Sequence, residues 1–282
     1  MEVLRFIGLI TDFGASPYTG IMRAVIKSIN PEAEIVDLDH SVPSFNVLAG
    51  AYVLYSSYRW MPVGSIIVSV VDPGVGSARE AVIVETNTYT LVGPNNGVLY
   101  PVIESEGYRR GVAIDYARLS EKAISEFKGR ITHDKWLISH TFHGRDIFAP
   151  AAALISKGVD MEELGRPLEK RALKRVRLDS VEKLEEGYRV SVVYIDKFGN
   201  VALNAKPGLL GMHRWKVVAI QTPTGTFNAV VGRTFSEATP GDLIVYVNSF
   251  GFVEIAVNQG NAARRLGVEI GEKITIIPME ET

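Results

Sequence analysis

The first half of the chain alternates short apolar runs with longer amphipathic segments. FIGLIT (6–11), AEIVDLD (33–39) and SIIVSVVD (65–72) have the length and the branched apolar content of buried strands. Between them, YTGIMRAVIKSI (18–29) and NVLAGAYVLYSSYRW (46–60) have the apolar spacing of helices. This alternation predicts a parallel sheet with crossover helices. Further strands are predicted at AVIVETN (81–87), TYTLVGPN (88–95) and GVAIDY (111–116), and a further helix at FAPAAALISKG (148–158).

The second half of the chain follows a different pattern. Short β-branched runs separated by Gly, Pro and Asn are typical of an all-β domain. These runs are YRVSVVYID (188–196), WKVVAIQT (215–222), FNAVVG (227–232), DLIVYVNS (242–249), FVEIAVN (252–258) and KITIIP (273–278). The charged segment from Glu163 to Glu186 predicts an exposed linker. We therefore expect an α/β domain with a mostly parallel sheet over residues 1–184, followed by a smaller all-β, barrel-like domain over residues 185–282.

Composition narrows the function classes. In 282 residues, 30 Lys and Arg face 32 Asp and Glu, so no net charge favours nucleic acid or a membrane surface as a partner. The chain contains no Cys, which excludes thiolate chemistry and suits a reducing compartment. The N-terminus lacks the features of a signal peptide, and no run reaches the roughly 18 to 20 apolar residues of a membrane span. We expect a cytoplasmic protein that binds a small molecule.

Polar residues that directly follow the predicted strands are the first candidates for a site, because ligands of open α/β sheets bind outside the carboxyl ends of strands. Asp12, Asp72 and the pair Asn95 and Asn96 occupy such positions. Each also has a structural interpretation, as a helix cap, a turn former or a residue that tolerates left-handed backbone. Because three such places converge on one sheet edge, the pattern favours a binding site.

Two further stretches add chemistry to this edge. In VVDPGVGSAR (70–79), Arg79 follows Asp72 by seven positions around a Pro- and Gly-rich turn. In SHTFHGRDIFAP (139–150), His143 precedes Arg145 and Asp146, which could also form a simple ion pair. A functional role for this stretch is favoured only if His143 is close in space to Asp72 and Arg79.

Several common cofactor and nucleophile motifs are missing from the sequence. His40, His133, Asp134 and His143 do not have the spacing of a metal-ligand motif, so we expect no catalytic metal. The chain has no GxxxxGK[ST] loop, no GxGxxG after its first strand and no GxSxG elbow, which disfavours ATP, NAD and the commonest hydrolase of this sheet type. We expect no cofactor.

The β domain carries weaker signals. In YIDKFGNVALN, Asp196 and Asn200 flank a turn that reads as a bulged hairpin, although a carboxylate and a carboxamide there can also bind an ammonium group and a carboxylate. Ser249 begins a loop rich in Gly and Asn. Neither signal is specific by itself.

Taken together, seven motifs resemble one family, the S-adenosyl-L-methionine (SAM) hydrolases, also called SAM hydroxide adenosyltransferases, which are relatives of the fluorinases and chlorinases. The motifs occur in the family's order between about residue 5 and residue 265, and their joint occurrence is highly specific. They are TDFG (11–14), YTGIMRAV (18–25), VVDPGVGSAR (70–79), VGPNNGVL (92–99), TFHGRDIFAPAAA (141–153), DKFGN (196–200) and NSFG (248–251).

The resemblance implies hydrolysis of SAM to adenosine and L-methionine by a homotrimer, with active sites between the N-terminal domain of one subunit and the C-terminal domain of the next. The family's catalytic triad falls on Asp72, Arg79 and His143. The implied substrate contacts are Asp12 to the ribose hydroxyls, Phe45 and Phe142 beside the sugar and base, and Asp196, Phe198, Asn200 and Ser249 at the methionine end.

Departures from the halogenase pattern favour a hydrolase. Asp72 stands where the fluorinases have Tyr, and His143 with Gly144 stands where they have a halide-binding Ser. Phe250 replaces an Arg of the halogenases. The alternatives that remain are a SAM-dependent halogenase and a SAM- or nucleoside-binding protein without turnover. The residues also leave open whether Asp72, His143 or a relay through both accepts the proton of the attacking water, or whether a preformed hydroxide binds.

Overall fold

A computed structural model describes residues 6–127 and 138–279 and divides the chain into two compact units, with the division between Val176 and Arg177. The predicted domain boundary lies eight positions further on, between residues 184 and 185. We describe the N-terminal and C-terminal units separately.

A seven-stranded sheet forms the centre of the N-terminal unit. Its strands are β1 (Phe6–Thr11), β2 (Glu34–Asp39), β3 (Ile66–Val70), β4 (Ala81–Thr86), β5 (Thr90–Pro94), β6 (Tyr108–Ile114) and β7 (Gly165–Pro167). The spatial order is β2-β1-β3-β5-β4-β6-β7. The first four of these strands pair in parallel, whereas β4 is antiparallel to both β5 and β6, and β7 is antiparallel to β6. Five of the seven strands thus run in one direction, which confirms the predicted α/β class.

Helices cover this sheet. In the described residues they are α1 (Pro17–Ile29), α2 (Val47–Ser57), α3 (Tyr100–Glu106), α4 (Tyr116–Phe127) and α5 (Ala149–Ser156). Helices α1, α4 and α5 pack together, and α2 packs with α3. Strand β3 is buried along its whole length, as expected for a strand with helices on both faces.

Two of these helices, α3 and α4, were not predicted from the sequence. Helix α4 buries Leu119, Ala123 and Phe127, which repeat every four residues and form one stripe. This stripe is readable in the sequence, but the intervening charged residues obscure it. Helix α3 is only seven residues long, too short for a clear periodic pattern.

The predicted exposed linker over residues 163–186 is wrong in its first part. Leu164, Leu168 and Leu173 are buried, and β7 joins the edge of the sheet. Widely spaced leucines anchor a charged segment without producing an apolar run, so a local pattern cannot reveal them.

The C-terminal unit is a closed barrel. Its strands are β8 (Glu182–Lys183), β9 (Tyr188–Ile195), β10 (Val201–Leu203), β11 (Val217–Thr222), β12 (Gly225–Val231), β13 (Leu243–Val247), β14 (Val253–Val257) and β15 (Lys273–Met279), with short helices α6 (Pro207–Leu210) and α7 (Ala262–Leu266). The order β10-β14-β13-β12-β11-β15-β9 closes through a β9–β10 pairing, and β8 extends from β9. Buried Val, Ile and Leu side chains fill the barrel. The predicted barrel-like domain is confirmed.

The ends of the parallel strands determine where a site can form in the N-terminal unit. Thr11, the last residue of β1, pairs with Val70, the last residue of β3, and Ile10 pairs with Asp39, the last residue of β2. The loops that follow these three strands therefore emerge side by side at one edge of the sheet.

The close approach of β3 and β5 gives a test of this packing. A Cβ atom on Gly93 would lie 2.6 Å from the carbonyl oxygen of Ser69, whereas one on Gly20, in the exposed part of α1, would have no neighbour within 4 Å. We expect Gly93→Ala to destabilise the protein by about 1–3 kcal/mol through overpacking. Its matched control, Gly20→Ala, is expected to stabilise α1 by up to about 1 kcal/mol. Calorimetric unfolding would show opposite shifts of the melting temperature, and equal shifts would contradict the described β3–β5 contact.

Candidate active site

The turn from Asp72 to Arg79 connects β3 to β4 and is held by hydrogen bonds within its own backbone. The Val75 N–H donates to the Asp72 carbonyl oxygen (3.2 Å), and the Ser77 N–H donates to the Gly74 carbonyl oxygen (3.1 Å). Gly76 has a φ of +76°, and a Cβ atom on it would lie 2.4 Å from the carbonyl oxygen of His140. The glycine is required because the turn packs directly against the backbone of the segment that carries His143.

Asp72, Arg79 and His143 are in direct contact. The Arg79 Nε donates to Asp72 Oδ1 (2.8 Å), and Arg79 Nη2 donates to Asp72 Oδ2. Nη2 also lies 2.7 Å from His143 Nδ1. The side chains of Arg79 and Asp72 are only 10% and 5% exposed. A bidentate ion pair at this depth fixes both planar groups relative to each other.

The contact with Arg79 determines the protonation of His143. Because the guanidinium can only donate, His143 Nδ1 accepts, and the neutral ring carries its proton on Nε2. Burial lowers the pKa of His143 below the ordinary 6.5, and the positive charge of Arg79 lowers it further, while Asp72 opposes the shift. His143 is therefore a neutral imidazole near pH 7.

Asp146 holds the segment that presents His143. Its side chain is buried, and its Oδ2 accepts hydrogen bonds from the backbone N–H (2.8 Å) and the hydroxyl (2.7 Å) of Ser139, while Arg145 pairs with it from the outside. A π-helical turn over Gly144–Phe148 follows His143 directly and leads into α5. Asp146 and Arg145 thus form more than a simple ion pair, because Asp146 fixes the loop before the helix.

Asp12 lies on the neighbouring loop. Its Oδ2 accepts from the backbone N–H of Phe45 (2.8 Å), and Phe45 has a φ of +65°, an unusual conformation for an aromatic residue. Partial burial raises the pKa of Asp12, and the bond from Phe45 opposes this shift. The Phe45 side chain is 72% exposed. The carboxylate and a solvent-facing aromatic ring are therefore held together beside the triad.

Most of these groups line one pocket of about 270 Å³, whereas Arg79 lies behind Asp72 and His143 and is not among the lining residues. The predicted residues Asp12, Phe45, Asp72, Phe142 and His143 lie in its wall. Further lining residues that the sequence did not single out for this role are Phe13, Tyr18, Ser44, Val70, Val75, Thr141 and Gly144. The pocket is slightly smaller than the roughly 300–1,000 Å³ of typical complete ligand sites.

Three aromatic rings form one wall of this pocket. Phe13, Tyr18 and Phe142 contact one another edge to face, with centroid distances of 4.9 to 5.8 Å. A Cβ atom on Gly144 would lie 3.1 Å from the Phe142 ring and 3.2 Å from the Phe13 ring, so a larger residue would crowd this wall. Phe13 is part of the TDFG motif and Tyr18 begins the YTGIMRAV motif, so membership in these motifs was the signal available for them.

Asn95 and Asn96 have a structural role. Asn95 donates to the carbonyl oxygen of Ala172 (3.1 Å) and accepts from the backbone N–H of Lys174 (2.9 Å). Asn96 donates to the carbonyl oxygen of Val71 (2.8 Å), next to Asp72. The predicted convergence on the sheet edge thus holds for all three places, because β5 runs parallel to β3, but Asn95 and Asn96 are not among the residues that line the pocket.

In the C-terminal unit, Asp196 and Asn200 are brought together. Asp196 Oδ1 accepts from the backbone N–H groups of Phe198 and Asn200 (both 2.9 Å), and the Asn200 side chain donates to Asp196 Oδ2 (2.9 Å). The Phe198 side chain is largely exposed on this turn. Ser249 lies on a separate turn after β13.

A metal site needs several His, Asp or Glu side chains close together. His133 and Asp134 lie outside the described residues. Within residues 6–127 and 138–279, no three His, Asp or Glu side chains cluster in a way that could hold a metal ion. In the same part of the chain, no helix combines the length and the apolar character that a membrane crossing requires.

Two models of known protein families match most of this chain. Residues 7–165 match the family model of the SAM hydroxide adenosyltransferase N-terminal domain, and residues 190–275 match that of the C-terminal domain. The chain belongs to the SAM hydroxide adenosyltransferase family. The resemblance predicted from the motifs is confirmed.

Individual members of the SAM hydroxide adenosyltransferase family are similar over nearly their full length. A protein of Salinispora arenicola named (R)-S-adenosyl-L-methionine hydrolase is 35% identical over 98% of this chain and 99% of its own. A Thermus thermophilus protein of the same name is 32% identical over 97% of this chain and 100% of its own. A fluorinase of Actinoplanes is more distant, at 23% identity over 90% of this chain and 91% of its own.

A solved structure supports the fold. The crystal structure of an uncharacterized conserved protein from Thermotoga maritima is 36% identical to this chain and has a TM-score of 0.82, covering 96% of this chain and 99% of its own. The α/β unit and the barrel are therefore those of an experimentally known architecture.

The charges around His143 give a testable order of pKa values. Because Arg79 lowers the pKa of His143 and Asp72 raises it, we expect Arg79→Gln to raise that pKa and Asp72→Asn to lower it. Burial, the largest cause of the shift, continues to lower this pKa in both variants. Titration of ¹⁵N-labelled histidine by NMR measures these values. A His143 pKa that rises in Asp72→Asn would contradict the described contacts.

Proposed function

We propose that this protein is an enzyme that hydrolyses SAM to adenosine and L-methionine. The observation that carries the proposal is the buried contact of Asp72, Arg79 and His143 beside a pocket that also contains Asp12, in a chain of the SAM hydroxide adenosyltransferase family. Relatives that cover nearly the whole chain are named for the hydrolysis of (R)-SAM. The proposal places the enzyme in the cytoplasm, in keeping with a chain without Cys.

Each predicted substrate contact has a place in this proposal. Asp12 would accept hydrogen bonds from the ribose hydroxyls, since an ionised carboxylate offers several lone pairs to two donors. Phe45 and Phe142 would flank the sugar and the base. The methionine end would contact the residues of the C-terminal unit, which are Asp196, Phe198, Asn200 and Ser249.

In this reaction the enzyme must activate the nucleophile, whereas the leaving group needs no assistance. SAM carries a sulfonium, so the bond from sulfur to the ribose 5′ carbon breaks to give a neutral thioether, and the leaving group needs no proton. The water oxygen forms the new bond to that carbon and loses one proton. For in-line attack, the water must be held about 3–3.5 Å from the carbon. The enzyme must therefore orient a water molecule and stabilise its deprotonation.

The hydrogen-bond pattern favours Asp72 over His143 as the proton acceptor. His143 Nδ1 is occupied by Arg79, and its Nε2 carries the proton. Asp72 keeps lone pairs after accepting two bonds from Arg79. In this proposal Asp72 orients the water and takes its proton, and His143 holds the guanidinium in place.

Arg79 has a further donor for this step. Its Nη1 is buried and has no hydrogen-bond partner among the described residues. A buried guanidinium N–H is costly without an acceptor, so it would favour a hydroxide-like oxygen over neutral water. This stabilisation of developing negative charge is the role we assign to Arg79.

The proposal includes a homotrimer in which each N-terminal pocket is completed by the C-terminal unit of a neighbouring subunit. The small volume of the pocket and the exposed apolar side chains around it support this arrangement, because such a rim is suited to contact with protein. These side chains are Tyr18, Ile21, Phe45 and Val75.

The reaction is tested by incubating the purified protein with each sulfonium epimer of SAM in ¹⁸O-enriched water, with and without chloride or fluoride. We expect equimolar methionine and adenosine with ¹⁸O in the 5′ hydroxyl. Halogenated adenosine would identify a halogenase. Intact SAM, together with tight adenosine binding, would identify a binding protein without turnover.

The roles of Asp72 and Arg79 predict a specific kinetic pattern. We expect Asp72→Asn and Arg79→Lys to lower kcat at least about 100-fold, the size of effect typical of a lost base or electrostatic group, with little change in SAM affinity. Single-turnover rates and calorimetric titration separate the two quantities. Arg166→Lys serves as a matched control, since Arg166 forms an exposed ion pair with Glu80. Parallel losses of affinity and rate would contradict the assignment.

Mixing two inactive variants tests the shared site. Asp72→Asn disables the N-terminal pocket, and Asp196→Ala disrupts the turn of the C-terminal unit. If each site draws on two subunits, co-expressed mixtures should recover about one quarter of the wild-type activity, because half of the subunits supply each intact part. Light scattering would establish the oligomeric state of the mixture. No recovery in a mixed trimer would contradict sites that are shared between subunits.

A further inference from the structure

Two neighbouring loops of the N-terminal unit are joined at three points. The Thr11 hydroxyl and His40 Nδ1 lie 2.9 Å apart, the Gly14 N–H donates to the His40 carbonyl oxygen (2.7 Å), and the Phe45 N–H donates to the Asp12 carboxylate (2.8 Å). His40 directly follows β2, and Asp12 directly follows β1. Asp12 therefore lies on a short segment with a contact to His40 on each side of it.

His40 is itself held by charged groups. Its Nε2 lies 3.2 Å from Asp37 Oδ1, within ion-pair distance, and Asp37 Oδ2 accepts from Arg23 Nη1 (2.7 Å) on α1. The His40 side chain is only 19% exposed. The Nε2 contact lacks hydrogen-bond geometry, so the Thr11 hydroxyl on Nδ1 is the contact that orients the ring, while the Asp37 carboxylate lies close to its other nitrogen.

Thr11 links this ring to the pocket. It is fully buried, and its hydroxyl oxygen also accepts from the Phe13 N–H (3.3 Å). Phe13 and Asp12 both line the pocket. Removing the His40 ring would therefore change the orientation of the Thr11 hydroxyl, which contacts the backbone just after Asp12.

We infer that His40 is a positioning residue for ribose recognition: through Thr11 it fixes the segment that points the Asp12 carboxylate into the pocket. The inference rests on the ribose role proposed for Asp12. It differs from a simple folding role because it predicts an effect on the recognition of the ribose hydroxyls in particular.

The test compares adenosine with 2′,3′-dideoxyadenosine, which lacks both ribose hydroxyls. The measured quantity is the Kd of 2′,3′-dideoxyadenosine divided by the Kd of adenosine, both determined by calorimetry on the full-length protein. A high ratio means that the ribose hydroxyls contribute to binding. Partial unfolding or loss of a competent conformation weakens both ligands by the same factor and leaves the ratio unchanged. The ratio therefore reports only on contacts to the hydroxyls.

Variants at position 40 separate the two ring contacts, while the backbone contact to Gly14 persists in all of them. Asn can accept from Thr11 at the position of Nδ1, so His40→Asn should keep the wild-type ratio. His40→Ala should lower the ratio about five- to tenfold, as expected when a hydrogen bond to a charged group is misaligned. Asp12→Ala is the positive control, and His213→Ala on the exposed surface of the C-terminal unit is the matched negative control.

Each result has a distinct meaning. A ratio that falls in His40→Ala and is retained in His40→Asn supports the inference. A ratio that is unchanged in His40→Ala but falls in Asp12→Ala overturns it. If neither variant changes the ratio, Asp12 does not bind the ribose, and the inference falls with that role. Absence of SAM hydrolysis by the wild type would refute the proposed reaction alone, because the ratio measures binding.

Discussion

The parallel pairing of β2, β1 and β3 is the constraint on which the site depends. In a parallel sheet every strand ends at the same edge, and here the last residues of the three strands are nearly in register. Three loops that are distant in sequence therefore lie side by side. Asp12, His40 and Asp72 belong to these loops. If the three strands ended at different levels of the sheet, the loops would not be neighbours. Strands β1 and β3 are almost completely buried, whereas β2, at the outer edge of the sheet, is only partly buried.

Within that edge, a single cation organises the candidate site. Arg79 binds both oxygens of Asp72 and also the Nδ1 of His143. The guanidinium is always charged and only donates, so it imposes a carboxylate on one neighbour and a neutral imidazole on the other. The two candidate bases thereby receive different chemical properties from the same group. Burial of the ion pair strengthens these effects, because little water is present to screen them.

Polar side chains are fixed in place by different means in the two units. The pocket of the N-terminal unit is built by strand ends, tight glycine turns and an aromatic wall, and its polar groups are fixed by hydrogen bonds from the backbone and from other side chains. In the barrel, the Asp196 carboxylate organises its own turn by accepting backbone N–H groups, so its side chain is ordered before any ligand arrives. Side chains that are fixed in this way lose little conformational entropy when a ligand binds.

The sequence by itself determined the fold class, the division into an α/β part and a barrel, and the family, because hydrophobic periodicity and short motifs are local properties of the chain. It also indicated Asp12 and Asp72, since polar residues after buried strands stand out against apolar surroundings, and the motifs shared with the family added Arg79 and His143. Only the tertiary structure decided which of these residues meet. It gave Asn95 and Asn96 hydrogen bonds to backbone groups, showed that Leu168 and Leu173 are buried in a charged segment, and brought His40 to Thr11 across 29 positions. Such contacts depend on strand register and on close backbone approach, which arise from the packing of the whole unit and leave no local pattern in the sequence.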